Sequence, residues 1–264
     1  METIEVTGLR IAFERAGDGP PLVLLHGLPG DSRMWRRQLD DLADEYTVIA
    51  WDAPECGRSS APSDDFGTGD VGRYLIGFMH VLGLEQPHVL GLSWGAGLAL
   101  ELYRTAPTIP RTLLLASAYA GWAGSLPADV VTQRLNAYLR AAGMAREEAM
   151  RGWAPGFFGA TAPVELVDEV VAIVSEFDPR VLSTLARSFA ETDLRAMLRT
   201  IDIPTLLLYG DADSRSPLQV AEALHAAIRG STLVVLPGVG HLSNIEAAAQ
   251  FNSEVRKFLR LHDR

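Results

Sequence analysis

The residues Gly91-Leu92-Ser93-Trp94-Gly95 set a serine between glycines two positions before and two after it. This G-x-S-x-G spacing suits a sharp strand-to-helix turn that strains the serine backbone and crowds its neighbours. An apolar run precedes the motif and a helix-like stretch follows it, which is the context such a turn needs. A serine hydroxyl is a poor nucleophile until a base takes its proton. The base is normally a histidine held in one tautomer by a buried carboxylate, and with this turn the chain order is Ser, acid, His. Three histidines follow Ser93. His225 falls inside a helix predicted over 218–228 and His262 in the terminal tail. His241 ends Pro237-Gly238-Val239-Gly240-His241, a glycine-rich loop directly after an apolar run, where an imidazole can reach a serine. The acid belongs to a strand end too. The apolar run 204–209 leads into Gly210-Asp211-Ala212-Asp213, which offers two aspartates: Asp211 suits a turn brace, and Asp213 lies deeper in the loop. The run 111–116 is followed by Ser117, Ala118 and Tyr119, with no carboxylate nearby.

Acyl transfer also needs donors for the oxygen that becomes negative at the attacked carbonyl. The amide of Trp94, next to the nucleophile, is one. The loop His26-Gly27-Leu28-Pro29-Gly30 supplies the other through Leu28, with His26 placed to brace the loop or to border the pocket. Further along, Trp122, Trp153, Phe157 and Phe158 could roof an apolar substrate pocket, the tryptophans being flanked by glycine or alanine rather than by a clean helical face. Competing chemistry has no footing. There is no G-x-G-x-x-G after the first strands, no P-loop, no H-E-x-x-H and no paired-cysteine spacing, so neither cofactor nor metal is expected. Cys56 is read as a packing residue.

These groups must be positioned by regular elements. Short continuous apolar runs at 21–26, 46–51, 87–92, 111–116, 204–209 and 232–236 predict buried strands, with an earlier strand over 9–15. Helical patterns lie between them, at 34–42 (capped by Asp31 or Ser32), 71–82, 95–105, 218–228 and 246–261. Such alternation predicts an α/β fold: a mostly parallel sheet with helices on both faces. From 119 to 198 the strands stop, and helical segments appear at 130–142, 147–153, 164–177 and 180–198. The expected division is therefore a core domain from 1–118 and 199–264, with a helical cap, 119–198, inserted over the crevice at the strand ends.

The chain has 264 residues, 48% of them hydrophobic and 21% charged, enough to bury a large core unaided. The net charge of −10 argues against nucleic acid or an anionic membrane as partner, since both call for basic patches. A single cysteine permits no internal disulfide. The acidic start, Met1-Glu2-Thr3-Ile4-Glu5, does not resemble a secretory signal, and no apolar run reaches the ~18 residues of a membrane span. A cytoplasmic location is the expectation.

Together, His26-Gly27 after a strand, Gly-Leu-Ser-Trp-Gly at 91–95, Gly-Asp-Ala-Asp at 210–213 and Gly-His at 240–241 resemble the α/β-hydrolase superfamily over nearly the whole chain outside the cap. Asp52-Ala53-Pro54-Glu55-Cys56-Gly57-Arg58-Ser59 resembles that family's Asp-x-Pro-Gly-x-Gly-x-Ser loop, with Glu55 standing where glycine is usual. The resemblance implies a Ser93–Asp213–His241 triad, the second aspartate of Gly-x-x-Asp being the acid, with Leu28 and Trp94 as amide donors. Serine rather than aspartate at 93 speaks against dehalogenase and epoxide-hydrolase chemistry. The implied function is a serine hydrolase that cleaves a small to medium ester or lactone through an acyl-enzyme. Carbon–carbon bond hydrolysis, cofactor-free perhydrolysis and a non-catalytic ligand-binding or signalling role are the alternatives on this fold.

Overall fold

The computed structural model describes residues 1–62 and 66–263. Among them are eight strands: β1 (Glu2–Val6), β2 (Leu9–Ala16), β3 (Pro21–Leu25), β4 (Thr47–Trp51), β5 (His88–Leu92), β6 (Thr112–Ala116), β7 (Thr205–Gly210) and β8 (Thr232–Leu236). They form one sheet in the order β1-β2-β4-β3-β5-β6-β7-β8. From β4 to β8 every pair is parallel, while β1–β2 and β2–β4 are antiparallel. Every residue of β5 and β6 is buried. That explains why their sequences are apolar runs after the first residue of each, His88 and Thr112, which are hydrogen-bonded to each other at 2.8 Å: a central strand covered on both faces has no wet side to carry unpaired polar residues.

Helices cover both faces of the sheet. The first, α1 (Arg36–Leu42), is entered through one 3₁₀ turn, Ser32–Trp35, so the helix expected over 34–42 is really two pieces. Asp31 caps that turn by accepting the Arg33 amide at 3.0 Å. Next come α2 (Thr68–Val81) and α3 (Trp94–Thr105), which pack on each other, α3 lying against β5. Between β6 and β7 the chain makes α4 (Ala128–Ala142), α5 (Arg146–Trp153), α6 (Val164–Val174), α7 (Pro179–Glu191) and α8 (Arg195–Leu198). After β7 come α9 (Leu218–Ala227), α10 (Ser243–Glu246) and α11 (Ala248–Arg260), the last packing on α1. No helix of the described residues is long and apolar enough to cross a membrane.

Four further elements differ from expectation. The helix predicted over 180–198 breaks between α7 and α8, because tertiary hydrogen bonds replace the helical ones there. The Leu194 amide donates to the Ala120 carbonyl at 2.9 Å, and Asp193 caps the Arg195 amide at 3.1 Å. The stretch predicted as one helix over 246–261 is divided at Ala247, and α6 ends at Val174 rather than continuing to 177. Finally, β1 escaped the sequence reading: only Val6 of its five residues is buried, so it carries no apolar pattern.

The strand order positions the site. From β3 the chain runs to β4 on one side, whereas β5 lies on the other side of β3 and leads on to β6. The loops leaving β3 and β5 thus diverge and open a crevice at the carboxyl ends of these strands.

Candidate active site

Ser93 stands at that crevice, between β5 and α3. Its φ is 56° and ψ −113°, a left-handed conformation costly for any residue with a Cβ. The flanking glycines are dictated by space. A Cβ on Gly95 would lie 2.1 Å from the Leu25 carbonyl oxygen and 2.6 Å from that of His26, and one on Gly91 would lie 2.3 Å from the Gly95 carbonyl oxygen. The turn is therefore packed directly against the end of β3. Trp94 is the first residue of α3, so its amide has no acceptor within its own helix. Its indole is buried and donates to the Thr68 hydroxyl at 3.4 Å, pointing into the interior rather than to the crevice.

The loop after β7 carries both aspartates, and the structure separates their surroundings. Asp211 is exposed and accepts the Gly238 amide at 2.6 Å, bracing one loop against the next. Asp213 is buried; its Oδ2 accepts from His241 Nδ1 at 2.8 Å, while its Oδ1 accepts the amides of Arg215 and Ser216, each at 2.8 Å. Burial alone would raise this carboxyl. The facing His241, by charge and by hydrogen bond, together with the Ser216 amide, brings it below the usual carboxylate value. His241 is itself buried, and its backbone carbonyl accepts from the Ser117 hydroxyl at 3.1 Å.

Ser93 and His241 line one cavity of about 290 Å³, counting its open mouth, with Leu28, Met34, Phe157 and Val170 among the other walls. Val170 and Val174, one turn apart on α6, present an aliphatic face to it. Of the aromatic residues singled out from the sequence, Phe157 lines the cavity and its ring stacks at 6.0 Å from that of His241. His26, Trp122, Trp153 and Phe158 are not among the lining residues. Trp122 packs on Tyr138 and Phe189, and Trp153 on Tyr138. The Phe158 backbone abuts Gly240, where a Cβ would lie 2.5 Å from the Phe158 carbonyl carbon.

His26 is fully buried and braces its loop. Its Nε2 accepts the Ala53 amide at 3.1 Å, which leaves Nδ1 to carry the proton and donate to the Gly27 carbonyl at 2.8 Å. Burial lowers its pKa, so the ring is held neutral. Next to it, Glu55 keeps the turn that its family position calls for, with φ at 63°. Cys56 is buried, and burial, with the charges of Asp52, Asp31 and Glu55, pushes its thiol well up, which suits packing rather than nucleophilic attack. Among the described residues no group of three or more His, Cys, Asp or Glu side chains is placed to hold a metal ion.

Besides the wall residues Met34, Val170 and Val174, the sequence reading missed Glu246. The Glu246 carboxylate accepts the Gly240 amide at 2.8 Å and the Gly159 amide at 3.0 and 3.1 Å, tying the residue before His241 to the helical insertion. The signal available was an acidic residue one short turn beyond the histidine loop. At the head of an apparent helix it looked like ordinary N-terminal charge.

The chain matches the Alpha/beta hydrolase family over residues 22–254, and it belongs to that family. Its fold superimposes on a thermophilic esterase from Thermogutta terrifontis with a TM-score of 0.91 at 25% identity, covering 100% of both chains. An esterase from Exiguobacterium antarcticum gives a TM-score of 0.90 at 25% identity, with 98% of each chain covered. In sequence it is 26% identical to 3-oxoadipate enol-lactonase 2 of Acinetobacter baylyi, over 98% of this chain and 95% of that protein.

Proposed function

We propose that the protein is a serine hydrolase that cleaves a small to medium carboxylic ester or lactone. Ser93 Oγ attacks the carbonyl carbon and His241 Nε2 takes its proton. Asp213 holds the imidazole in the Nδ1–H tautomer and stabilises its charged form. The amides of Leu28 and Trp94 receive the oxyanion. The tetrahedral intermediate expels the alcohol, which leaves with the proton from His241. Water, deprotonated by the same imidazole, then releases the acid from Ser93.

The observation that carries this reading is the buried Asp213–His241 pair at 2.8 Å, with its imidazole on the same cavity as the strained Ser93. A protein that only binds its ligand has no use for a carboxylate buried to orient a histidine. Esterases and a lactonase among the similar proteins support the same class. The segment 119–198 serves as a cap: Phe157, Val170 and Val174 from it close the cavity over core residues.

Labelling with a fluorophosphonate probe, followed by peptide mass spectrometry, tests the assignment without knowing the substrate. The label is expected on Ser93, and Asp213→Asn is expected to slow labelling by roughly 10³–10⁴-fold. Folded protein that stays unlabelled, or a Ser93→Ala variant that retains ester hydrolysis, would refute it.

A further inference from the structure

Two guanidinium groups lie beyond the walls of the cavity, outside its lining residues, with only neutral partners. Arg134, on α4, donates to the Tyr119 hydroxyl and to the Arg215 carbonyl, each at 2.8 Å, and lies 5.3 Å from the centroid of the Trp122 ring. Arg215, in the loop after β7, lies 4.4 Å from the centroid of the Phe157 ring and donates to the Tyr138 hydroxyl at 2.8 Å. Both side chains belong to half-buried residues. Arg33, Arg37 and Arg256, which are half-buried too, each grip a carboxylate, whereas the half-buried Arg111 makes no ion pair among the described residues. Among the described residues neither Arg134 nor Arg215 makes an ion pair.

The nearby anion is already committed, because both oxygens of Asp213 are taken up by His241 and by two backbone amides. Tyr119 is no substitute: burial pushes its hydroxyl up to about 12, so it stays a neutral phenol. Two positive charges partly withdrawn from water without a counterion are costly, the more notably in a chain of net charge −10. Each guanidinium keeps unused N–H groups in a fork that matches a carboxylate.

Their placement ties them to catalysis. Phe157, under the Arg215 guanidinium, lines the cavity and stacks on His241. Tyr138, which receives the Arg215 hydrogen bond, donates at 3.4 Å to the carbonyl of Leu28, another wall residue. The positive charge therefore lies one aromatic ring beyond the imidazole.

We propose that Arg134 and Arg215 form a carboxylate-binding subsite, and that the ester or lactone hydrolysed here carries a free carboxylate at the end remote from the reacting carbonyl. The proposal rests on the serine-hydrolase reading for the reacting end. It deepens that reading by naming the substrate class: half-esters or lactones of dicarboxylic acids.

The test compares mono-4-nitrophenyl glutarate with 4-nitrophenyl pentanoate, which match in length and differ in the terminal charge. The wild type is expected to prefer the glutarate half-ester in kcat/KM by about ten- to a hundredfold, the worth of a charge-assisted pair. In Arg134→Met and Arg215→Met that ratio should collapse toward one, chiefly through KM for the half-ester, with Arg→Lys variants falling between. A wild type that favours pentanoate, or variants that keep the wild-type ratio, would overturn the proposal while leaving the hydrolase reading intact. Calorimetric titration with free glutarate judges the subsite without turnover. Binding that weakens at least tenfold in both Met variants supports it even if no ester is cleaved. Absent or unaltered binding counts against it, and the wild-type comparison stands whether or not a variant folds.

Discussion

Removing the Glu246 carboxylate should loosen His241 without touching the proposed Ser93–Asp213–His241 triad. In Glu246→Ala two amides, of Gly240 and Gly159, lose an ionised acceptor at 2.8 Å and 3.0 Å. A hydrogen bond to a charged group contributes about 1.5–3 kcal/mol, so the pair is worth about 3 kcal/mol at the low end. Glu246 is half-buried and water can reach part of the gap, so a net loss of about 2 kcal/mol in stability is expected. The Gly240 amide belongs to the residue before His241, and Gly159 follows the Phe157–Phe158 segment that stacks and packs on the same loop. If about 1.4 kcal/mol of that hold goes into placing the imidazole, kcat drops about tenfold. Glu246→Gln keeps one acceptor oxygen and turns an NH₂ on the other amide, so its loss should be intermediate. Urea denaturation reads the stability, and initial rates on 4-nitrophenyl pentanoate read kcat and KM. An Ala variant within 0.5 kcal/mol of wild type and with unchanged kcat would show that the link is ornamental and the argument wrong.

Gly95→Ala should give little folded protein, because the new methyl meets the backbone carbonyl oxygens of Leu25 and His26, which cannot move without displacing β3. Gly152→Ala, in α5 with nothing within 4 Å of the new methyl, should instead raise the midpoint of thermal unfolding through a gain of about 0.5–1 kcal/mol. Equal behaviour of the two would contradict the packing account. His26 and His88 both have pKa values lowered by burial from 6.5. The unfolded chain then binds protons that the native state refuses, so their contribution to stability is complete above pH 6.5 and is lost as pH falls below it. Each contributes a slope of up to about 1.4 kcal/mol per pH unit, and His26→Asn should remove one such share between pH 6.5 and 5 in denaturation series. A slope identical to wild type would refute the neutral-ring assignment.

Much of this architecture is legible in the sequence, because β3 to β7 are mostly buried and therefore announce themselves as apolar runs. The turn at Ser93 is legible for a different reason: its geometry tolerates only glycine at 91 and 95, so sterics are written into residue type. The pocket walls are not. Trp122 and Trp153 attract attention by size, yet they pack on Tyr138 within the insertion, and the cavity is faced instead by Val170, Val174 and Met34, which look like any core residues. Which apolar side chain faces a cavity depends on how α6 lies over the core, and no local pattern encodes that. Glu246 and the two arginines escaped for a related reason. Two of their partners, Gly159 and Tyr138, are distant in sequence, and all four, with Gly240 and Tyr119, are backbone or neutral groups, so no charge pairing points to them.

The order of the working parts along the chain bears on biosynthesis. With the roles proposed above, Leu28, Ser93 and Trp94 leave the ribosome early, and β3, β5 and β6 are enough to pair around the strained serine turn. The nascent protein at that point holds an oxyanion cradle and a nucleophile but no base. Asp213 and His241 arrive only with the loops that follow β7 and β8, strands added at the far edge of the sheet. A half-made molecule is thus chemically silent toward the esters around it, and delivery of the loop after β8 is the event that arms it. The same division suggests where the polypeptide could be cut into two fragments, each inert alone, whose reassembly would restore a functioning serine.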